Sequence, residues 1–299
     1  MPLSQQTKFS TFAKKILMFQ LKTQDQTFIF DRPALMGILN LTPDSFSDGG
    51  RYNQMDKALQ HCEQMIADGA DFIDIGGCST RPNNAIATEE EELERVVPIL
   101  KAIRKAFPET LISIDTFRKN VAEACMNEGA DLINDISGGL FDEEMLPYIG
   151  RNRIPYVMMH CIGTPETMHQ YALDGDIHQT VMDFFKQQCQ ILEAYGEQQI
   201  ILDPGIGFGK SLEANYQLLS DMNRYRYNNL PILIGISRKS LINKVLHTTP
   251  DTAENGTTVL NTLALLNGAD ILRVHDVKNA REAIELVGTL CNFAPNFNL

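Results

Sequence analysis

The sequence predicts a single α/β domain, a (β/α)8 TIM barrel preceded by a short N-terminal extension, and three observations carry that prediction. Eight apolar, β-branched runs alternate with eight helical stretches; a Gly-Ala-Asp phrase recurs where helix passes to strand; and polar residues gather at the C-terminal ends of the runs. Such alternation builds parallel strands joined by helices. A barrel of this class takes about 250 residues, and the chain has 299. An open doubly wound sheet satisfies the same alternation, because pattern alone does not fix topology.

Residues 1–30 read as the extension, a short strand or helix plugging the barrel floor, and 31–299 as the barrel. Strands are predicted at 34–39, 71–75, 111–115, 131–136, 155–160, 199–203, 231–236 and 270–275. Helices are predicted at 54–68, 88–106, 118–128, 142–149, 178–195, 211–227, 238–246 with 254–267, and 278–290. The phrase Gly-Ala-Asp opens three of the strands, at Gly69, Gly129 and Gly268. Glycine suits the left-handed residue that ends a helix, and the apolar run after it suits a buried parallel strand. One helix start is explicit: Thr88 and Glu91 have capping-box spacing, and Glu89 to Glu92 place negative charge at the positive end of the helix dipole.

Composition narrows the function. Hydrophobic residues make up 43% and charged residues 21%, enough for a sizeable core. A net charge of −12 without a basic cluster argues against a nucleic-acid partner. The six cysteines show no C-x-x-C pair and no regular spacing, which suits reduced thiols in a cytoplasmic protein better than disulfides or a zinc site. Lys14 and Lys15 interrupt the only apolar stretch near the N-terminus, so neither a signal peptide nor a membrane span is expected.

The polar residues at the strand ends are Asn40, the Thr80-Arg81 loop, Asp115, Asn134, His160, Asp203, Ser237 to Ser240, and Arg273 with His275. A single Asp after a strand is as readily a turn former. Repetition around the barrel points instead to an active site at the C-terminal face. Residues 42–51, rich in Pro, Gly, Ser and Asp, suit a lid. The segment from Asp203 to Ser211 is not a phosphate loop, because Pro204 occupies a required glycine position; its glycines let backbone and Phe208 approach a flat ligand. Ser237-Arg238-Lys239-Ser240 opens a helix with a hydroxyl and two cations, a candidate anion site.

Seven segments resemble the motifs of dihydropteroate synthases, in family order across about residues 35–290: 36–50, 74–82, 113–116, 133–136, 203–210, 235–240 and 272–277. The resemblance implies a (β/α)8 barrel that joins 6-hydroxymethyl-7,8-dihydropterin pyrophosphate to p-aminobenzoate, releases pyrophosphate, uses Mg2+, forms a homodimer and is a sulfonamide target. It implies that Asp115, Asn134, Asp203 and Lys239 hold the pterin, whose edge of donors and acceptors they can match. Asn40 is then the Mg2+ ligand. Arg81, Arg273 and His275 face the pyrophosphate, while Thr80, Phe208 and Ser240 shape the p-aminobenzoate pocket. Catalysis falls to Asp115, Lys239, Arg273 and His275, which stabilise the departing pyrophosphate and the cation developing at the exocyclic carbon. Asp74 lies in a motif but in a strand interior, and the resemblance leaves its contact with the pterin open.

The chain departs from the family pattern at Cys78, where a Glu is usual, at Pro82-Asn83-Asn84, where a Gly is common, and at Phe117, where a smaller residue or Tyr is expected. Three alternatives follow: a methyltetrahydrofolate-binding methyltransferase domain, a pterin-binding paralogue without turnover, and a metal-dependent hydrolase barrel built on His160, His275 and Asp203.

Overall fold

The computed structural model describes residues 19–23, 26–41, 51–78, 86–164, 167 and 175–294, with side chains from residue 54 onward in the first helix. The lid 42–51, the Thr80-Arg81 loop and Asn83 fall outside these residues, apart from Arg51, whose backbone opens the first helix. An antiparallel hairpin comes first, β1 (Phe19–Lys22) and β2 (Thr27–Phe30). The barrel follows as β3 (Ala34–Asn40), α1 (Arg51–Ala67), β4 (Phe72–Gly76), α2 (Glu89–Ala106), β5 (Leu111–Asp115), α3 (Lys119–Asn127), β6 (Leu132–Asp135), α4 (Met145–Asn152) and β7 (Tyr156–Met159). It is completed by α5 (Ile177–Glu193), β8 (Ile200–Asp203), α6 (Leu212–Ser220), β9 (Leu233–Ile234), α7 (Ser240–Leu246), α8 (Glu254–Leu266), β10 (Ile271–Val274) and α9 (Val277–Phe293).

Strands β3 to β8 pair in sequence order, and β10 lies between β3 and β9. The remaining seam is held by the parallel bridge Leu202↔Ile232 and by the Leu202 N–H bond to the Pro231 carbonyl at 2.8 Å. The sheet is a nearly closed barrel, which excludes the open sheet. Two elements are shorter than their periodicity implies. The run 231–236 keeps Leu233–Ile234 in the ladder, with Ile232 in the bridge, because the chain turns beyond it, where the Lys239 N–H bonds the Ile236 carbonyl. The helical pattern 211–227 breaks after Ser220; Met222 and Tyr225 are still buried, but from a 3-10 turn.

Period-two alternation sorts the strand residues. Met36, Phe72, Leu111, Leu132, Val157, Ile201, Leu233 and Ile271, one from each barrel strand, form a buried layer inside the floor. Leu21 and Phe30 of the hairpin close that layer from below, with Phe30 stacked on Phe72 at 5.4 Å between centroids. Gln199 fastens the hairpin: its amide oxygen accepts the Lys22 N–H at 2.5 Å and its amide nitrogen donates to the Lys22 carbonyl at 2.6 Å. Neighbouring residues such as Ile73, Ile112, Ile133, Leu202 and Leu272 face outward into the helix layer.

The repeated phrase has a mechanical explanation. Gly69, Gly129 and Gly268 have φ of +98°, +93° and +97°, as the helix-ending position requires. The Asp of each phrase then accepts a backbone N–H from the preceding strand: Asp71 from Leu35 at 2.8 Å, Asp131 from Ile112 at 2.7 Å, and Asp270 from Ile232 at 2.8 Å. Each also pairs with an arginine, Arg32, Arg104 and Arg226 respectively. These staples lock strand register at the floor, away from the polar mouth. Asp131→Ala is therefore expected to lower unfolding free energy by about 2–3 kcal/mol while leaving kcat/KM per folded molecule within about twofold. Urea unfolding and initial-rate kinetics check both halves. The capping box also forms, with the Glu91 N–H donating to Thr88 Oγ at 3.2 Å and the Thr88 N–H to Glu91 Oε2 at 3.0 Å.

Candidate active site

Above the apolar floor, the next inward positions of β4, β5, β6, β8 and β10 are polar: Asp74, Ser113, Asn134, Asp203 and Arg273. Asp74 of β4, Asn134 of β6 and Arg273 of β10 meet inside the barrel, and Asp115 closes the group at the end of β5. Arg273 forks between two carboxylates, with Nε donating to Asp74 Oδ2 and a terminal nitrogen to Asp115 Oδ2, both at 2.6 Å. Asn134 donates its amide nitrogen to the same Asp74 oxygen at 3.0 Å. The guanidinium expected to face pyrophosphate is thus held by two acids. Burial pushes the Asp115 carboxyl above its ordinary range; Arg273 opposes the shift, and Asp74 and Glu92 add to it.

Across the mouth, Asp203 ends β8 and accepts the Gly205 N–H at 2.7 Å. Burial raises its carboxyl too, against the pull of Lys239. Lys239 extends inward, donating to the Ile206 carbonyl at 2.5 Å, with its ammonium 4.5 Å from the centre of the Phe208 ring. Burial lowers Lys239 to about 8 although Asp203 works the other way. Phe208 itself is held by Lys210, whose buried ammonium donates to the His160, Gly205 and Phe208 carbonyls at 3.1, 2.9 and 3.1 Å. With Gly205, Gly207 and Gly209 all at positive φ, the loop folds around that one cation. His275 is oriented by Ser237, whose hydroxyl oxygen lies 2.9 Å from Nδ1 and 3.2 Å from the His275 backbone nitrogen.

The candidate anion site is rearranged. Arg238, at φ +59°, turns away and pairs with Asp276 at 2.5 Å, while Lys239 points into the barrel. Ser240 is left exposed at the start of α7 without the two converging cations that its sequence neighbours imply. Asn40 ends β3 beside Gly76, whose other neighbour is Asp115. Thr80 and Arg81 lie outside the described residues. His160 is buried against Phe184, and burial drives its imidazole well below the ordinary range, so it is a packing residue behind the mouth.

The departures at Cys78 and Phe117 find local partners. Glu92, in the acidic first turn of α2, is buried and ion-paired with Arg118, whose guanidinium also donates to the Ala87 carbonyl at 2.6 Å. The Cys78 thiol sits beside that pair, and burial, with Glu92, keeps it above its ordinary value. A carboxylate at 78 would crowd the acid already present. Phe117 meets Phe141 edge-on at 5.6 Å and carries Arg118 4.8 Å above its ring centre. Both rings join Ile136, Met159 and Phe208 in an apolar wall at the mouth, suited to one face of a flat ring. A cavity of about 840 Å³ at the barrel floor, between the hairpin and the strand starts, contains none of these groups; its Arg104 and Asp131 are already paired.

Comparison with known proteins decides what this arrangement belongs to. The family model described as pterin binding enzyme matches residues 36–275. A dihydropteroate synthase of Synechocystis is 43% identical over 263 residues, 87% of this chain and 90% of the relative. The chain belongs to the dihydropteroate synthase family. Among solved structures, the Yersinia pestis dihydropteroate synthase with a sulfonamide drug complex aligns with a TM-score of 0.84 at 40% identity, covering 91% of this chain and 98% of that one. The Xanthomonas albilineans dihydropteroate synthase with 4-aminobenzoic acid also gives 0.84, at 34% identity, covering 91% and 97%. The structure adds the Glu92–Arg118 pair, to which sequence reasoning gave no partner, and turns Ser237, expected at the anion site, toward His275. Asp74 carried a signal, since it stands two residues above Phe72 on the inward face of β4.

Proposed function

We propose that the chain is a dihydropteroate synthase, a transferase that joins 6-hydroxymethyl-7,8-dihydropterin pyrophosphate to p-aminobenzoate with loss of pyrophosphate. The observation that carries this reading is the convergence of Asp115, Asn134, Asp203, Lys239 and Arg273 at one mouth, within a chain of this family. The methyltransferase alternative is not favoured, since the Synechocystis relative and the Yersinia pestis structure are both synthases. Nor is the hydrolase reading, since no cluster of three or more His, Cys, Asp or Glu suited to a metal exists among the described residues.

In this reading Asp203 and Asn134 accept from the pterin N–H groups, Lys239 donates to its carbonyl, and the wall around Phe208 and Met159 packs on the ring. Asp115 lies where positive charge grows at the exocyclic carbon as the pyrophosphate leaves, and a carboxylate there favours that charge. Arg273 and His275 receive the leaving group, with Arg273 giving up part of its hold on Asp74 and Asp115. The aniline nitrogen then forms the new C–N bond and sheds its proton. Phe208 and Ser240 border the p-aminobenzoate side in this reading.

A magnesium ion belongs to this reading, and the oxygens beside Asn40 are compatible with one. A Cβ built on Gly76 would lie 3.7 Å from Asn40 Oδ1 and 3.6 Å from Asp115 Oδ2, so the missing side chain leaves an oxygen-lined opening. Mg2+ is commonly held by one or two protein oxygens together with water and phosphate, and Asn40 would hold it. When bound, it supplies positive charge to the pyrophosphate oxygens. A homodimer is supported by exposed Val259 and Leu263 on α8 and Leu286 and Leu290 on the adjacent α9. Cytoplasmic residence is supported by six free cysteines, four of them buried. No helix among the described residues is long and apolar enough to cross a membrane.

The deciding experiment supplies the purified chain with dihydropterin pyrophosphate and Mg2+, with and without p-aminobenzoate, and follows pyrophosphate and dihydropteroate. Release that needs p-aminobenzoate is the expected result; bound pterin without release would identify a non-catalytic paralogue. The pH profile gives a second check. Lys239 is lowered to about 8 by burial, so its cation is lost as pH rises through that value, and kcat/KM is expected to fall there. Lys239→Arg should abolish that alkaline limb, while its persistence would move the assignment to another group such as Lys210.

A further inference from the structure

Asp74 is fully buried in the middle of β4, and one of its oxygens does two jobs. Oδ2 accepts from Asn134 Nδ2 at 3.0 Å and from Arg273 Nε at 2.6 Å, while Oδ1 has no hydrogen-bond partner among the described residues. The three side chains come from β4, β6 and β10, so this carboxylate ties opposite parts of the barrel wall together. A carboxylate offers only acceptors, and a primary amide offers a donor at one end and an acceptor at the other. If the Asn134 amide turned over, its oxygen would face Asp74 Oδ2 at hydrogen-bond distance with no proton between them. That contact would leave two buried acceptors unsatisfied.

We propose that Asp74 is a positioning residue that fixes the polarity of the pterin site: it holds Asn134 with the amide oxygen as the end offered to a ligand, and it anchors Arg273 beside Asp115. The proposal rests on the pterin-binding reading above and names the residue that sets its specificity. A pterin edge presents a 2-amino group and a ring N–H, both donors, and an amide oxygen matches a donor. A 2,4-dioxopteridine, with oxygen in place of the 2-amino group, would set acceptor against acceptor. Asp74 thus selects the aminated ring without touching it, because the amide it holds cannot turn to suit the other ring.

The test reads pterin binding directly, by calorimetry with a dihydropterin and with its 2-oxo analogue, and is therefore independent of turnover. Asp74→Leu is similar in size, carries no acceptor, and leaves Asn134 free to turn. It is expected to weaken dihydropterin binding by about tenfold or more and to reduce the preference for the 2-amino ring. The KM for p-aminobenzoate should change by less than about twofold, since that substrate makes no use of Asn134. Asp74→Asn is the conservative rescue, because its amide oxygen can take the shared place of Oδ2 and accept from both Asn134 and Arg273. It should recover most of the lost affinity and preference. A melting temperature that falls while the preference stays at the wild-type value would reduce Asp74 to a structural role and overturn the proposal. So would an Asp74→Asn chain that binds no better than Asp74→Leu. Wild-type chain that binds the dihydropterin without turnover would sink the synthase reading alone; wild-type chain that binds no pterin would sink both.

Discussion

Arg273→Met is expected to destabilise the folded chain by about 3–5 kcal/mol at neutral pH and to lower kcat/KM by about a hundredfold or more. The cause is electrostatic. Arg273 is the common partner of Asp74 and Asp115, at 2.6 Å from each, and Asp74 is fully buried. Removing the cation leaves two acids facing each other inside the barrel, a far greater loss than the pair's net contribution. The deficit should depend on pH. Asp115 already has its folded-state value raised above the ordinary one by burial. A carboxyl raised on folding contributes stability that is full below its unfolded value and is lost as pH rises through the folded value. Without Arg273 that folded value rises further, so the variant's deficit should be largest in neutral and alkaline solution and shrink as the acids take up protons. Urea unfolding of both proteins across the acid range measures it. A deficit that stays constant, or grows on acidification, would assign the loss to packing.

Asp115→Asn is expected to cut kcat by about 10²–10³ while raising the KM for the dihydropterin by less than about fivefold. An amide of the same shape still fills the place at the end of β5 and can still meet Arg273, so ground-state binding changes little. The carboxylate's charge matters only when the exocyclic carbon becomes positive. The raised carboxyl adds a second signature. Wild-type activity should decline on acidification at a pH above the ordinary aspartate range, and the Asn variant should lose that acid limb. Single-turnover pyrophosphate release separates the chemical step from product departure. Equal losses in kcat and in substrate affinity would remove Asp115 from the transition state and leave it a binding residue.

Fold and mouth were legible in the sequence for different reasons. The Gly-Ala-Asp phrase marked three αβ junctions because each glycine must take a left-handed conformation and each aspartate must staple a neighbouring strand. Asp115, Asn134, Asp203 and Arg273 were legible because a parallel strand that is otherwise apolar has no structural need for a polar side chain at its C-terminal end. The illegible features depend on contacts between distant residues. No local pattern shows that Arg238 will choose Asp276 and leave the helix start at Ser240 without its cation. Nor does any pattern show that Glu92, by position one more acid in a capped first turn, is buried on Arg118. The short β9 was missed because Ile236 continues the apolar run after its backbone has left the ladder.

The hairpin beneath the barrel ends in an exposed margin, and open margins of this kind recruit strands from other molecules. Gln199 occupies that margin at Lys22 with one amide, answering both an N–H and a C=O as a passing strand would. The side chain is thus a one-residue decoy strand, too short to be extended by anything that follows it. Such a blunted edge works against edge-to-edge pairing between folded chains.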